Sequence, residues 1–147
     1  MYQFIQNTAN VSSDALLHNI SLIISMEQKY GISFPDVLRD YYIHYNGYKI
    51  SLCVFRINNN EYEVAKIIPL DGDTLTFEKI VDNDRADGFI SSNFYPLASN
   101  RGGDLYYWDC NTQNLFLVYA DDVEHPISIC HSITEFFKLM SDSASEL

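Results

Sequence analysis

The sequence predicts an α+β domain with a central, mostly antiparallel sheet, two N-terminal helices and one C-terminal helix. Three observations carry this prediction. Two stretches with helical apolar spacing, each closed by a glycine, occupy residues 12–31 and 33–47. Short segments rich in branched and aromatic residues, separated by turn residues, fill the middle of the chain. Ser132-Ile133-Thr134-Glu135 then forms a capping box before a last amphipathic stretch. Strands joined by short turns pair antiparallel, and helices grouped outside the strand run indicate α+β.

Taken in order, residues before Ser12 are a weakly apolar lead-in. Ser12 or Ser13 caps the first helix, and Asp14 complements its positive end. Leu16, Leu17, Ile20, Ile23, Ile24 and Tyr30 supply its apolar face, Glu27 interrupts that face, and Gly31 closes the helix. Ser33 is expected to cap the second helix, with Pro35 in its first turn and Asp36 three residues on. Leu38, Tyr41, Tyr42 and Tyr45 share one face of it, and Asn46-Gly47 stops it.

Residues 50–57 read as a strand covered on both faces, Asn58-Asn59-Asn60 as a turn, and 61–68 as the second strand of a hairpin. Pro69 and Asp71-Gly72-Asp73 end it. Residues 74–81 fit either a strand or one to two turns of helix, 82–88 read as an acidic loop, and 89–94 have no assignment. Apolar character resumes at Tyr95-Pro96-Leu97-Ala98, and Asn100-Arg101-Gly102-Gly103 is a tight turn. In the strand 105–109, Tyr106 and Trp108 share one face and Leu105 and Tyr107 the other. Residues 115–120 read as a central strand, 121–126 as a second acidic loop and 127–130 as a short strand. Ile133, Phe136, Phe137 and Met140 make the apolar face of the closing helix, and the tail 141–147 is expected to fray.

At 147 residues the chain, 1–147, is expected to be a single domain able to bury a core without a staple. Nine Lys+Arg against 20 Asp+Glu give a net charge of −11. Such a surface repels phosphate backbones and anionic lipid, favours a basic protein partner, and suits a monomer or weak dimer. The simplest reading of the same charge is solubility. Cys53, Cys110 and Cys130 are three isolated thiols, an odd count without Cys-x-x-Cys, which fits a reducing compartment. Neither a signal peptide nor a membrane span is expected at the N-terminus, so the location expected is cytoplasmic.

The sequence displays no catalytic constellation. His18, His44, His125 and His131 lack metal-ligand spacing, and no metal or other cofactor is expected. Asp82-x-Asp84 with Asp87-Gly88 is not a calcium loop, since Ala86 and Asn93 stand at ligand positions. No Gly-x-Ser-x-Gly elbow occurs, and Gly102-Gly103-Asp104 lacks the spacing and the helix of a phosphate cradle. Tyr106, Tyr107, Trp108, Phe116 and Tyr119 are core by default. An uncovered sheet face would turn some of them into a partner site flanked by acidic loops.

Glu27, Gly31, Phe34-Pro35, Tyr41, Tyr45 and Asn46-Gly47 resemble the N-terminal signature of the SUKH superfamily, with Phe34 in place of a leucine and Tyr48 in place of a second glycine. Tyr95-Pro96-Leu97-Ala98, Gly102-Gly103-Asp104, Leu105 to Asp109, Leu117-Val118-Tyr119 and residues 133–137 continue the likeness, which spans 16–140. That superfamily contains fungal cell-wall-assembly regulators and bacterial toxin-immunity proteins. The resemblance implies an α+β fold, no enzymatic activity, and a protein partner. In an immunity-type protein that partner is a toxin domain, such as a nuclease or deaminase. A basic toxin would be steered to acidic residues, and Asp82, Asp84, Asp87, Asp104, Asp121, Asp122 and Glu124 are the expected contacts. The alternatives are a non-enzymatic regulatory scaffold, as in cell-wall-assembly regulation, and an enzyme with an unrecognised site.

Overall fold

The computed structural model describes residues 2–6 and 11–145. Among these, four helices and two antiparallel sheets follow in the order α1 (Ser13–Tyr30), α2 (Asp36–Tyr45), β1 (Cys53–Ile57), β2 (Asn60–Val64), β3 (Lys66–Ile67), α3 (Phe77–Asp87), β4 (Phe94–Ser99), β5 (Leu105–Asp109), β6 (Leu115–Val118), β7 (Ile127–Cys130) and α4 (Ile133–Ser145). β1 and β2 form one hairpin sheet, and β3 to β7 form a five-stranded meander in chain order. The fold is α+β, with a helix between β3 and β4 beyond the three expected.

α1 is capped by the Ser12 hydroxyl, which accepts from the Ala15 N–H at 3.2 Å. It ends at Gly31, whose φ of 66° is the left-handed conformation that favours glycine. Its inward face differs from the expected one. Asn19, Ile23 and Met26 are buried, whereas Leu17 is 66% exposed and Ile20 and Ile24 also face outward. The reason is a polar residue at the centre of the buried face. Asn19 donates to the Ile43 carbonyl at 2.8 Å, so a hydrophobicity pattern places the face too far round.

α2 begins at Asp36 and not at Ser33, and its first turn has no side-chain cap. A residue preceding proline is biased away from helical geometry, which keeps Phe34 extended. The Phe34 ring is buried against Tyr42, Phe77 and Trp108. Its N–H donates to Glu27 Oε2 at 2.8 Å, and the same oxygen accepts from Arg39. Glu27, which breaks the apolar pattern of α1, is therefore the fastening between the two helices. Leu38, Tyr41 and Tyr42 are buried as expected, and Tyr45 is half-buried.

Asn46, just beyond α2, joins three segments. Its Oδ1 accepts from the buried Leu70 N–H at 2.9 Å, and its Nδ2 donates to Asp71 at 2.9 Å and Asn19 at 3.3 Å. The Tyr42 hydroxyl donates to the Ile68 carbonyl at 2.6 Å. The chain leaving β3 is thus held by α2.

The expected strand 61–68 is divided at Ala65 between the two sheets, its first part pairing with β1 and its last two residues with β4. Asn58 and Asn59 have φ of 50° and 69°, the positive values that a two-residue hairpin turn of matching twist requires. In the larger sheet Tyr95 lies opposite Trp108 and Tyr106 opposite Leu117. This inner face packs under the helical layer, with Phe34 on Trp108 and Phe136 on Tyr106. The outer face carries Phe94, Tyr107 and Phe116, with Phe94 and Phe116 stacked at 4.9 Å, and Leu105 opposite Val118.

Residues 82–88, expected as a loop, instead form the second half of α3 and its glycine cap. Thr76 caps the start by accepting from the Lys79 N–H, and Gly88 closes it at φ 76°. Phe77, Ile80 and Val81 are buried at helical spacing. The aspartates and asparagine that follow are weak helix formers, and they mask the pattern. The capping box at Ser132 forms, with Glu135 N–H on the Ser132 hydroxyl and the Glu135 carboxylate on the His131 N–H. α4 runs to Ser145, so residues 141–145 of the tail are helical, and 146–147 lie outside the described residues.

Replacing Asn46 by Ala strands the buried Leu70 N–H and should lower unfolding free energy by about 2–3 kcal/mol. Ser33→Ala, at a residue that caps nothing, should change it by less than about 0.5 kcal/mol. Urea unfolding of both variants checks the pair.

Candidate functional site

α3 lies against β4 and reaches both sides of the sheet. On the inner side Phe77 stacks on Tyr95 at 6.0 Å, and the Arg85 guanidinium stands 5.1 Å above the same ring. On the outer side the Tyr107 hydroxyl donates to Asp84 Oδ2 at 2.8 Å. Asp84 falls seven residues after Phe77, where the buried stripe of α3 continues, so a carboxylate occupies a position that would otherwise be apolar. Burial raises its pKa, and the Tyr107 bond offsets this only in part. Burial and the neighbouring Asp84 charge in turn push the Tyr107 phenol up.

Below Asp84 is a cavity of about 220 Å³. Asp84 and Asp87 stand at one side, Leu105, Tyr107 and Val118 form the outer sheet face, and Ile90 and Val123 lie across from them. Phe89, 67% exposed, borders it. A neighbouring recess shares Phe89, Ala120 and Val123 and adds Asp121, Asp122 and Glu124 from the loop after β6. The two together form one groove, with an aromatic residue at its centre and five carboxylates around it.

The seven expected contact residues distribute as follows. Asp84, Asp87, Asp121, Asp122 and Glu124 converge on the groove. Asp82 lies on the other side of α3, where it accepts from Lys29 at 3.0 Å and Tyr30 at 2.7 Å, and these bonds lower its pKa. Asp104 pins two loops, accepting from the Ala120 N–H at 2.8 Å and from Asn100 at 3.0 Å. Among the described residues no lysine or arginine forms an ion pair with any of the five groove acids, and Asp122 is in contact with His125.

Of the aromatic residues considered from the sequence, Tyr106, Tyr107 and Trp108 are buried and Phe116 and Tyr119 half-buried. Sequence reasoning missed Phe89. The signal available was an aromatic residue directly after a helix-closing Gly88, a position that a short exposed turn displays. Among the described residues no cluster of three or more His, Cys, Asp or Glu is placed to hold a metal ion. No helix among them is long and apolar enough to cross a membrane.

The chain matches a known protein family. The model of the SMI1 / KNR4 family (SUKH-1) matches residues 20–139, a span running from within α1 to α4 and enclosing the groove. No curated protein matches the chain.

The raised pKa of Asp84 has a definite consequence for stability. An acid whose folded pKa lies above the unfolded value, about 3.9, supports the fold fully below that value and loses the contribution as pH rises through the folded pKa. Asp84→Asn keeps an acceptor for Tyr107 without the charge. Its urea midpoint should exceed that of the parent near pH 7, and the gap should close below about pH 4.

Proposed function

The chain belongs to the SMI1 / KNR4 family (SUKH-1), and from that premise we propose that it is a non-enzymatic immunity-type protein that binds and neutralises a cognate toxin through the Phe89 groove. The family includes toxin-immunity proteins and regulators, both of which work through protein partners. One observation carries the choice of surface. Five carboxylates without a lysine or arginine partner surround an exposed aromatic residue, which combines a steering field with a central anchor. A basic toxin domain, such as a nuclease, would meet there a surface of the charge its own substrate carries. Asp104 adds to that field from its margin, whereas Asp82 is paired with Lys29 on the other side of α3. The protein would act in the cytoplasm of the cell that makes it, as a monomer or weak dimer.

A second reading, a regulatory scaffold, draws on a separate feature. Leu17, Ile20 and Ile24 form an exposed apolar stripe on α1, and a scaffold needs more than one contact surface. Substitution of Leu17 and Ile24 by serine distinguishes the two, because a single-surface immunity protein retains toxin binding.

Association with a toxin domain encoded beside this chain's gene, followed at low and high salt, tests the proposal. Neutralising the five groove acids should slow association at least about tenfold and flatten its salt dependence. Phe89→Ala should chiefly speed dissociation, at a cost of about 2 kcal/mol. Binding that is indifferent to both changes would remove the groove from consideration.

A further inference from the structure

Resting on the reading of the groove as a partner surface, we infer that the cavity beside Asp84 is a receptor for one arginine side chain of that partner. Its volume of about 220 Å³ is smaller than the roughly 300 Å³ at which small-molecule sites begin, so it suits a side chain. Leu105, Val118, Ile90 and Val123 make an aliphatic wall. Asp84 and Asp87, three residues apart, present their carboxylates from one face of α3. Phe89 supplies a ring at the border of the two recesses.

Arginine is the side chain whose parts match these features. Its methylene stem packs on aliphatic surface while its head remains polar. Its planar fork can engage two carboxylate groups, and its flat face can stack on an aromatic ring. Asp84 is already oriented for such a partner. Tyr107 holds Oδ2, and Oδ1 accepts no hydrogen bond among the described residues. Burial opposes the charge on Asp84, and Arg85, whose field favours that charge, turns to the Ser92 carbonyl and forms no ion pair with it. A guanidinium entering the cavity would relieve that. A lysine ammonium is compact and strongly hydrated, and it lacks the fork. An apolar side chain would cover Asp84 and leave its charge unpaired.

Among the described residues, three wider recesses each carry a cation of this chain in their lining: Lys49 and Lys66 with Asp71 near Tyr48, Lys138 with Asp142 near Tyr2 and Phe137, and Arg56 with Glu61 and Asp142 near Phe55.

The test uses the full chain, isotope-labelled and titrated with acetyl-Gly-Arg-Gly-amide and with its lysine and citrulline counterparts. The amide signals of Asp87, Gly88, Phe89, Leu105 and Val118 should move with the arginine peptide at about tenfold lower concentration than with the lysine peptide, and not with citrulline. Asp84→Asn and the cavity-filling Val118→Phe should each abolish that preference. Asp84→Asn decides alone if Val118→Phe does not fold. Equal responses to arginine and lysine, or responses spread over all acidic residues, would overturn the pocket. So would the absence of any response. The partner reading would then stand or fall separately on the association measurements. Arginine preference without groove-dependent toxin binding would overturn that reading and leave the pocket.

Discussion

The position of the groove depends on a polar bracket some distance from it. Asn46 accepts from Leu70 and donates to Asp71 and Asn19, and Asn19 in turn donates to the end of α2 at Ile43. With Tyr42 on the Ile68 carbonyl, these bonds satisfy buried main-chain groups that would otherwise be costly. They also fix residues 68–71 against α2. The Phe77 N–H then bonds back to the Pro69 carbonyl, so α3 starts from an anchored segment. Lys29 and Tyr30 hold the outward side of α3 through Glu78 and Asp82. The angle at which α3 presents Asp84 and Asp87 is therefore set by the helical layer. The asparagine of the family signature acts on the groove through the frame.

The groove itself runs against the logic of the fold. The buried stripe of α3 proceeds through Phe77, Ile80 and Val81 and then meets Asp84. An apolar residue there would add burial, and the aspartate instead suffers desolvation that Tyr107 does not fully offset. Conflicts between a local rule and the global packing concentrate at sites kept for binding. The contrast with Asp71 is instructive. Burial also disfavours its charge, yet bonds from His18 and Asn46 outweigh that and lower its pKa. Asp71 is a carboxylate the fold uses, and Asp84 is one the fold tolerates.

Much of this architecture can be read from residues alone, because local signals and tertiary packing agree there. The Ser12 cap, the Gly31 stop, the Asn58-Asn59 turn and the Ser132 box all form. Two of the failures share a cause, a polar side chain serving a tertiary purpose. Asn19 at the centre of the buried face of α1 rotates the apparent apolar stripe onto Leu17 and Ile24. Asp84 in the buried stripe of α3, among other aspartates and an asparagine, makes its last turns resemble a loop. Ser33 looked like a cap, but the buried Phe34 and the following proline keep the chain extended, and Glu27 takes the amide that a cap would leave. For the groove, the acids were visible in the sequence. Their convergence was not, because Asp84 and Asp121 come from segments joined only by the sheet. Phe89 had no periodicity to mark it.

Charge distribution bears on whether the acidity has a purpose beyond solubility. The chain has nine Lys+Arg for 20 Asp+Glu, so some carboxylates must go without cations. Which ones do is not dictated by the count. Lys29 serves α3, Arg39 serves the α1–α2 junction, Arg56 and Arg101 serve the hairpin, and Lys138 serves α4. Arg85, although it neighbours Asp84 in sequence, turns toward the Ser92 carbonyl and the Tyr95 ring. A surface serving solubility alone does well with both signs interspersed. Here most cations are placed where they join elements, and among the described residues none forms an ion pair with the acids around Phe89, although the field of Arg85 reaches Asp84. Burial disfavours the Asp84 charge there, and a positively charged partner would offset that cost.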